Sequence, residues 1–178
     1  WTARYVHETI ALAFSVTEEA VEDNLYDTLS KRYTAALARS MAYTKQVKAA
    51  NVLNNGFSSS YTGGDAKPLM DTAHPTLEAG NLANEPSTAA DFSESSLESA
   101  IISIGGFVDD RNVPVAVNAR KLIVPKDLAF VAQRILKSDL RVGTADNDIN
   151  AAKSMNILPQ GYAVNHYLTD TDAWFILT

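Results

Sequence analysis

The stretch TEEAVEDNLYDTLSKRYTAALARSMAYTKQVKAANVLNN, Thr17 to Asn55, contains neither proline nor glycine and carries a helix signal at each end. Thr17 is a good N-cap followed at once by Glu18 and Glu19, and Ser15 with Glu18 offers a competing capping box. Asn54, Asn55 and Gly56 supply the left-handed exit at which helices end. Glu18, Glu19, Glu22, Asp23 and Asp27 precede Lys31, Arg32, Arg39, Lys45 and Lys48, an order that complements the helix macrodipole. The reading is one unbroken helix over residues 17–55, roughly 55 Å long at ~1.5 Å per residue.

Few globular helices are that long, so neighbours must lie along it. Val21, Leu25, Leu29, Tyr33, Leu37 and Met41 recur every fourth residue, and each step advances about 40° around the axis. The apolar stripe therefore winds around the rod and does not form a heptad seam. A helix of this kind touches one neighbour near its start and another near its end, with Leu29 and Leu37 more buried than Lys31 or Arg39.

With 178 residues, 46% hydrophobic and 20% charged, the chain can bury a substantial core in one or two domains. Fifteen basic against 21 acidic residues give a net charge of -6, and with no basic patch standing out to meet a phosphate backbone this argues against nucleic-acid binding as the main task. The absence of cysteine removes disulfides and thiolate metal sites. No apolar run approaches the ~18 residues of a membrane span. The first residue is Trp1, which is expected of a processed product or a piece of something longer.

From Arg4 to Val16, the apolar Val6, Ile10, Leu12, Phe14 and Val16 alternate with Tyr5, His7, Thr9, Ala11, Ala13 and Ser15, the pattern of a strand with one buried face. Phe57 to Asp91 is a long turn-rich connection in which Leu69, Met70 and Leu77 are expected to pin the chain down. Ser93 caps a second helix with Leu97, Ala100, Ile101 and Ile104 on one face and Gly105-Gly106 at its end. Val113 to Val117 and Lys121 to Val124 read as short strands. Pro125 and Asp127 open a third helix with Leu128, Val131, Ala132, Ile135 and Leu136 as its apolar face. Tyr162 to Leu168 and Trp174 to Leu177 are strand-like and joined by a turn that Asp170 and Asp172 cap.

Catalytic and ligand chemistry finds little purchase. His7, His74 and His166 are scattered, none with a second histidine at helical metal-site spacing. His74 with Asp71 and the serines 58–60 has the residue types of a hydrolase triad but no nucleophile elbow. Asp146, Asp148 and Asn150 begin a calcium-loop spacing that fails at Ala151 and Ile157. Gly63-Gly64 lacks the lysine and hydroxyl of a phosphate loop. No catalytic residue, cofactor or metal site is expected.

Seven stretches occur in a distinctive order: Phe14-Ser-Val-Thr-Glu-Glu19, Lys48-Ala-Ala-Asn-Val-Leu-Asn-Asn-Gly-Phe57, Gly64-Asp-Ala-Lys-Pro-Leu69, Thr72-Ala-His-Pro75, Lys121-Leu-Ile-Val-Pro125, Gly143-Thr-Ala-Asp-Asn-Asp-Ile-Asn150 and Tyr167-Leu-Thr-Asp-Thr-Asp-Ala-Trp174. In that order and spacing the chain resembles, almost end to end, the major capsid (head) proteins of tailed bacteriophages in the Mu-like branch. Ala66 departs from the pattern, standing where a glycine is expected.

The resemblance implies an α+β Hong Kong 97-type capsid fold. Residues 1–16 would be the returning strand of the E-loop, 17–91 the spine helix and extended loop of a peripheral domain, and 92–178 an axial domain with a strand return. The N-terminal arm, the outgoing E-loop strand and C-terminal peripheral strands would lie outside this sequence. The implied function is a self-assembling icosahedral head around double-stranded DNA, in a virion assembled in the host bacterial cytoplasm. Its partners would be its own copies in pentamers and hexamers, with scaffold, portal and decoration proteins as further candidates, no sequence-specific DNA contact and no membrane. Val6, Ile10, Leu12 and Phe14 are then subunit-interface candidates. In the loop from Gly143 to Ala152, Asp146 and Asp148 would face Arg141 or Lys153 of a neighbouring copy. An encapsulin-type nanocompartment shell and an Asp71/His74 hydrolase are the alternatives.

Overall fold

The computed structural model describes residues 6–23, 26–141 and 148–178. It is a mixed α+β structure whose buried core lies in residues 92–158 with the last strand, while the long helix, among its described side chains, contributes only Ala50 to the fully buried apolar set.

The expected unbroken helix is divided. Helix α1 spans Glu18–Glu22 and α2 spans Tyr26–Asn54, with Asp23 in a turn whose N–H donates to the Glu19 carbonyl. Asn24 and Leu25 lie outside the described residues. The physical reason is legible at the break: α1 buries nothing, and Asp23 follows three glutamates with a short side chain that competes for backbone hydrogen bonds. Thr17 does cap the start, accepting from the Ala20 N–H at 3.4 Å. In α2, Leu29 and Leu37 are half-buried while Lys31 and Arg39 are exposed.

Residues 6–16 form no strand, which corrects the alternation reading. A strand needs a ladder of backbone hydrogen bonds, and no described segment of the chain offers one here. The segment instead lies along α2 and antiparallel to it, Glu8 pairing with Lys48 and the Phe14 ring meeting Tyr33 at 5.6 Å. The spans agree: Glu8 to Phe14 fully extended covers about 20 Å, and Tyr33 to Lys48 rises about 22 Å along a helix.

The far end of α2 is held differently. Asn54 donates to the Tyr167 carbonyl at 3.1 Å and accepts from the Thr169 N–H at 3.1 Å. Tyr43 packs edge-on against Tyr167, and Phe57 stacks near Phe175 at 5.8 Å. Thus the N-terminal segment runs along α2 from Tyr33 to Lys48 while the 167–175 region meets it at Tyr43 and Asn54, so the two neighbours overlap along the helix instead of taking one end each.

The connection after α2 contains only a two-residue antiparallel ladder, β1 (His74–Pro75) with β2 (Asn81–Leu82). Of the three apolar side chains expected to pin it, only Met70 is half-buried, beside Gly56, whereas Leu69 is exposed and Leu77 is 86% exposed. Ala66 adopts φ 62, the left-handed region that explains why glycine is expected there.

Helix α3 (Glu94–Gly105) follows its sequence signals closely. Ser93 caps it in a reciprocal box with Ser96, Leu97 and Ile104 are buried, and Gly106 forms the C-cap. Val113 to Val117 is not the expected strand. Only Pro114 bridges, to Val108, and Val113 and Val115 stay exposed because no second ladder faces them.

Strand β3 (Lys121–Pro125) is central in a three-stranded sheet of order β4-β3-β5, parallel to β4 (Tyr162–Asn165) and antiparallel to β5 (Phe175–Leu177). The Thr169–Asp172 turn therefore does not close a hairpin, because β3 separates the two strands it connects. A 3₁₀ turn at Lys126–Leu128 leads into α4 (Ala129–Lys137), which buries Ala132, Ile135 and Leu136 beside Leu97, Leu122 and Val124. Four-residue α5 (Ala151–Ser154) follows.

Candidate functional site

Three regions carry the side chains that sequence reasoning singled out. The first is the segment before α1. Val6 is 79% exposed, Leu12 and Phe14 are exposed, and Ile10 is half-buried. Tyr33 and Lys48 of α2 receive the segment, through Phe14 and Glu8. Leu29, Arg32, Tyr33 and Ala36 line a groove of about 250 Å³ on the same helix.

The second region is the cleft between α3 and the chain before α5. Glu94, Glu98, Arg141, Asp148, Ile149 and Ala151 line an open volume of about 510 Å³. The Arg141 guanidinium donates to Glu94 at 3.2 Å, and Glu94 first, then Glu98 and Asp148, hold it more firmly in its charged form. Lys153 pairs with Asp139, whose carboxyl is held below its ordinary range by that contact. Arg141 and Asp148 are thus brought together, whereas Lys153 sits in a separate pair. Asp146 lies outside the described residues. Glu94 and Glu98 were read only as helix residues, although their i, i+4 spacing puts both on one face of α3.

The anchor of this region is Asn150, 3% exposed, and not Ile149, which is exposed. Its amide donates to the carbonyls of Ile135 and Ser138 at 2.7 and 3.0 Å, satisfying the end of α4, while its oxygen accepts from the Lys153 N–H to start α5. An amide that closes one helix and opens the next is committed structurally. This role had been overlooked because Asn150 was weighed only as a metal ligand.

The third region is the turn-rich connection. His74 pairs through Nδ1 with Asp65 at 2.6 Å, not with Asp71, and its Nε2 lies 3.3 Å from the Asn84 side-chain oxygen. The Asn84 amide is oriented by the backbone: it donates to the Leu69 carbonyl at 2.7 Å, and its oxygen accepts from the Asp71 N–H at 2.9 Å. Both partners of the ring are acceptors, so a ring carrying both N–H protons satisfies both. Neither is a nucleophile, and the hydroxyls of serines 58–60 make no hydrogen bond to His74. The arrangement ties residues 63–84 together where apolar burial does not.

His74 donates to Asp65, and this bond above all, with the Lys67 N–H helping, holds the Asp65 carboxyl below its ordinary value of 3.8. A depressed folded-state pKa contributes stability that is present above 3.8 and is lost as pH falls through the lowered value. On acidification through that lowered value, the amide signals of Gly63 and Lys67 should therefore shift together in NMR spectra, and Asp65→Asn should abolish the step. Amide signals that titrate identically in the Asp65→Asn protein would contradict the assignment. In the turn before β5, Asp170 and Asp172 share a hydrogen bond that lowers the first and raises the second.

Among the described residues no cluster of three His, Asp or Glu side chains could hold a metal ion, and no helix is long and apolar enough to cross a membrane. What the arrangement offers is surface: apolar side chains laid along a long helix, and a charged cleft beside α3. Residues 2–178 match the model of a family described as phage capsid protein. No curated protein and no solved structure matches the chain.

Proposed function

The chain belongs to the phage capsid protein family, and we propose that it is a major head subunit of a tailed phage or prophage, with the Hong Kong 97-type architecture. In this reading α2 is the spine, residues 6–16 belong to the E-loop, and residues 92–178 form the axial domain. Copies assemble into pentamers and hexamers of an icosahedral head around packaged DNA, and the head is built in the host cytoplasm. Scaffold, portal and decoration proteins would then be its further contacts.

The observation that carries the proposal, beyond family membership, is the state of α2 and the segment beside it. Among the described residues, the 29-residue helix has Ala50 as its only fully buried apolar side chain and leaves Tyr33, Tyr43 and Val52 exposed, with exposed Phe14 against Tyr33 and exposed Val6 and Leu12 in the same segment. So many large apolar side chains left in water on one helix and the segment beside it favour a protein interaction surface. Many copies around closed symmetry would cover it without any partner of another kind.

Electron microscopy of the full-length protein after expression tests the proposal. Large, regular, DNA-sized heads are expected. Small shells filled with protein cargo would favour an encapsulin-type compartment, and the lack of any particle would remove the shell reading.

A further inference from the structure

Helix α4 has two faces of opposite character. Val131, Ala132, Ile135 and Leu136 turn into the core, while Lys126, Phe130, Arg134 and Lys137 are exposed. Lys126 sits in the 3₁₀ turn before α4, and at about 100° per residue the other three fall within a stripe about 60° wide. Phe130 is 80% exposed, an aromatic ring left in water between cations one turn before and one turn after it. None of the three cations takes part in an ion pair among the described residues. Asp127 is the one acid at the edge of the stripe, and Gln133 is turned aside to accept from the Tyr162 hydroxyl. A cationic face centred on an aromatic runs against the net charge of -6.

Its counterpart is on the same chain. Helix α1 exposes Glu18, Glu19, Glu22 and Asp23 around exposed Val21 and buries nothing. These acids also enter no ion pair among the described residues, and no hydrogen bond there joins α1 to α4. We propose that the outward face of α4 docks onto α1 of a neighbouring copy, with Phe130 against the Val21 side and Lys126, Arg134 and Lys137 opposite the acids. This rests on the self-assembly proposed above and assigns one of its contacts. The two patches differ, so the contact is head-to-tail, the kind that generates a ring when its rotation closes. An aromatic centre with a polar rim is the usual make-up of a protein contact, and the charges steer and register it. A nucleic-acid phosphate backbone would use the cations but would leave the acid and apolar patch of α1 without a role.

The test is full-length protein with Lys126→Glu, Arg134→Glu and Lys137→Glu, followed by sucrose-gradient particle yield over a range of salt. Circular dichroism and thermal melts match the parent if the triple variant folds as these exposed positions allow. Particle yield should fall at least about tenfold at low salt, and the gap should narrow as the screening length drops from about 30 Å at 0.01 M to about 8 Å at 0.15 M. Adding Glu18→Lys, Glu19→Lys, Glu22→Lys and Asp23→Lys to the same chain should restore yield, because the charges are then complementary again. Parental yield and salt dependence in the triple variant overturn the inference, as does failure of the second set to restore assembly. Normal particles with weakened binding of a short DNA duplex also overturn it and assign the face to phosphate. Absence of particles from the parental protein removes the shell reading and this inference together, whereas particles indifferent to charge reversal remove this inference alone.

Discussion

Leu122→Ala should destabilise the protein by about 2–5 kcal/mol, seen as a fall in the denaturant midpoint with an unchanged slope. Leu122 is 0% exposed and lies on the central strand, opposite Tyr162 on one side and Ile176 on the other. Its neighbours in the core come from α3, α4 and the loop before β4, including Leu97, Ala132 and Leu158. Truncation removes apolar burial and leaves a cavity that two flanking ladders and two helices cannot easily close. The same substitution at half-buried Leu37 should cost far less, because much of that side chain already meets solvent. Equal losses at the two positions would show that the core of the isolated chain extends along α2, against the burial pattern.

The contrast between these two leucines also shows where the sequence was informative. Helix α3 was legible because cap, period and exit agreed: Ser93, then Leu97 and Ile104 on one face, then Gly106. For α4 the period placed Val131, Ala132, Ile135 and Leu136 on the core side, but not the start, since Pro125 ends β3 and Asp127 and Leu128 lie in a 3₁₀ turn. Strand β3 was legible as an apolar run, but its central place was not, since strand order depends on partners far away in the chain. Residues 6–16 show the same limit from the other side. Period-two alternation predicts one buried face, but without a ladder Val6, Leu12 and Phe14 stay exposed and the segment meets α2 through Phe14 and Glu8.

The candidate site was less legible than the fold for a related reason. Composition flagged His74, but its partner Asp65 and its orienter Asn84 are defined by the path of a loop with no period. Asn150 was noticed for its oxygen, while its structural work is done mainly through its amide donors. Arg141 and Lys153 were read as free to meet a neighbour's carboxylates, and within the chain each already has one, Glu94 and Asp139. The proposed contact with Asp148 of another copy must then compete with exposed pairs worth only about 0–1 kcal/mol, which such a contact can rearrange.

Ala36→Pro should abolish particle formation while leaving the melting of the core nearly unchanged. Ala36 is exposed in the interior of α2, where proline removes the hydrogen bond to the carbonyl one turn earlier and its ring clashes with that turn, a local cost of ~3 kcal/mol or more. Little of that cost reaches the sheet, because among its described side chains α2 places only Ala50 in the fully buried apolar set, and it is held at its far end by Asn54 and Tyr43. The position is telling because residue 36 falls between Tyr33 and Lys48, the two points at which the N-terminal segment is fastened to the helix. A kink between them changes their separation, so Phe14 and Glu8 can no longer both reach their partners, and the exposed apolar row formed by the segment and the helix loses its line. Hydrogen exchange should quicken through the first half of α2 and leave α3, α4 and β3 protected, and electron microscopy should show no regular shells. Regular particles from the proline variant would mean that assembly does not use a straight α2, and the spine reading would fall with them.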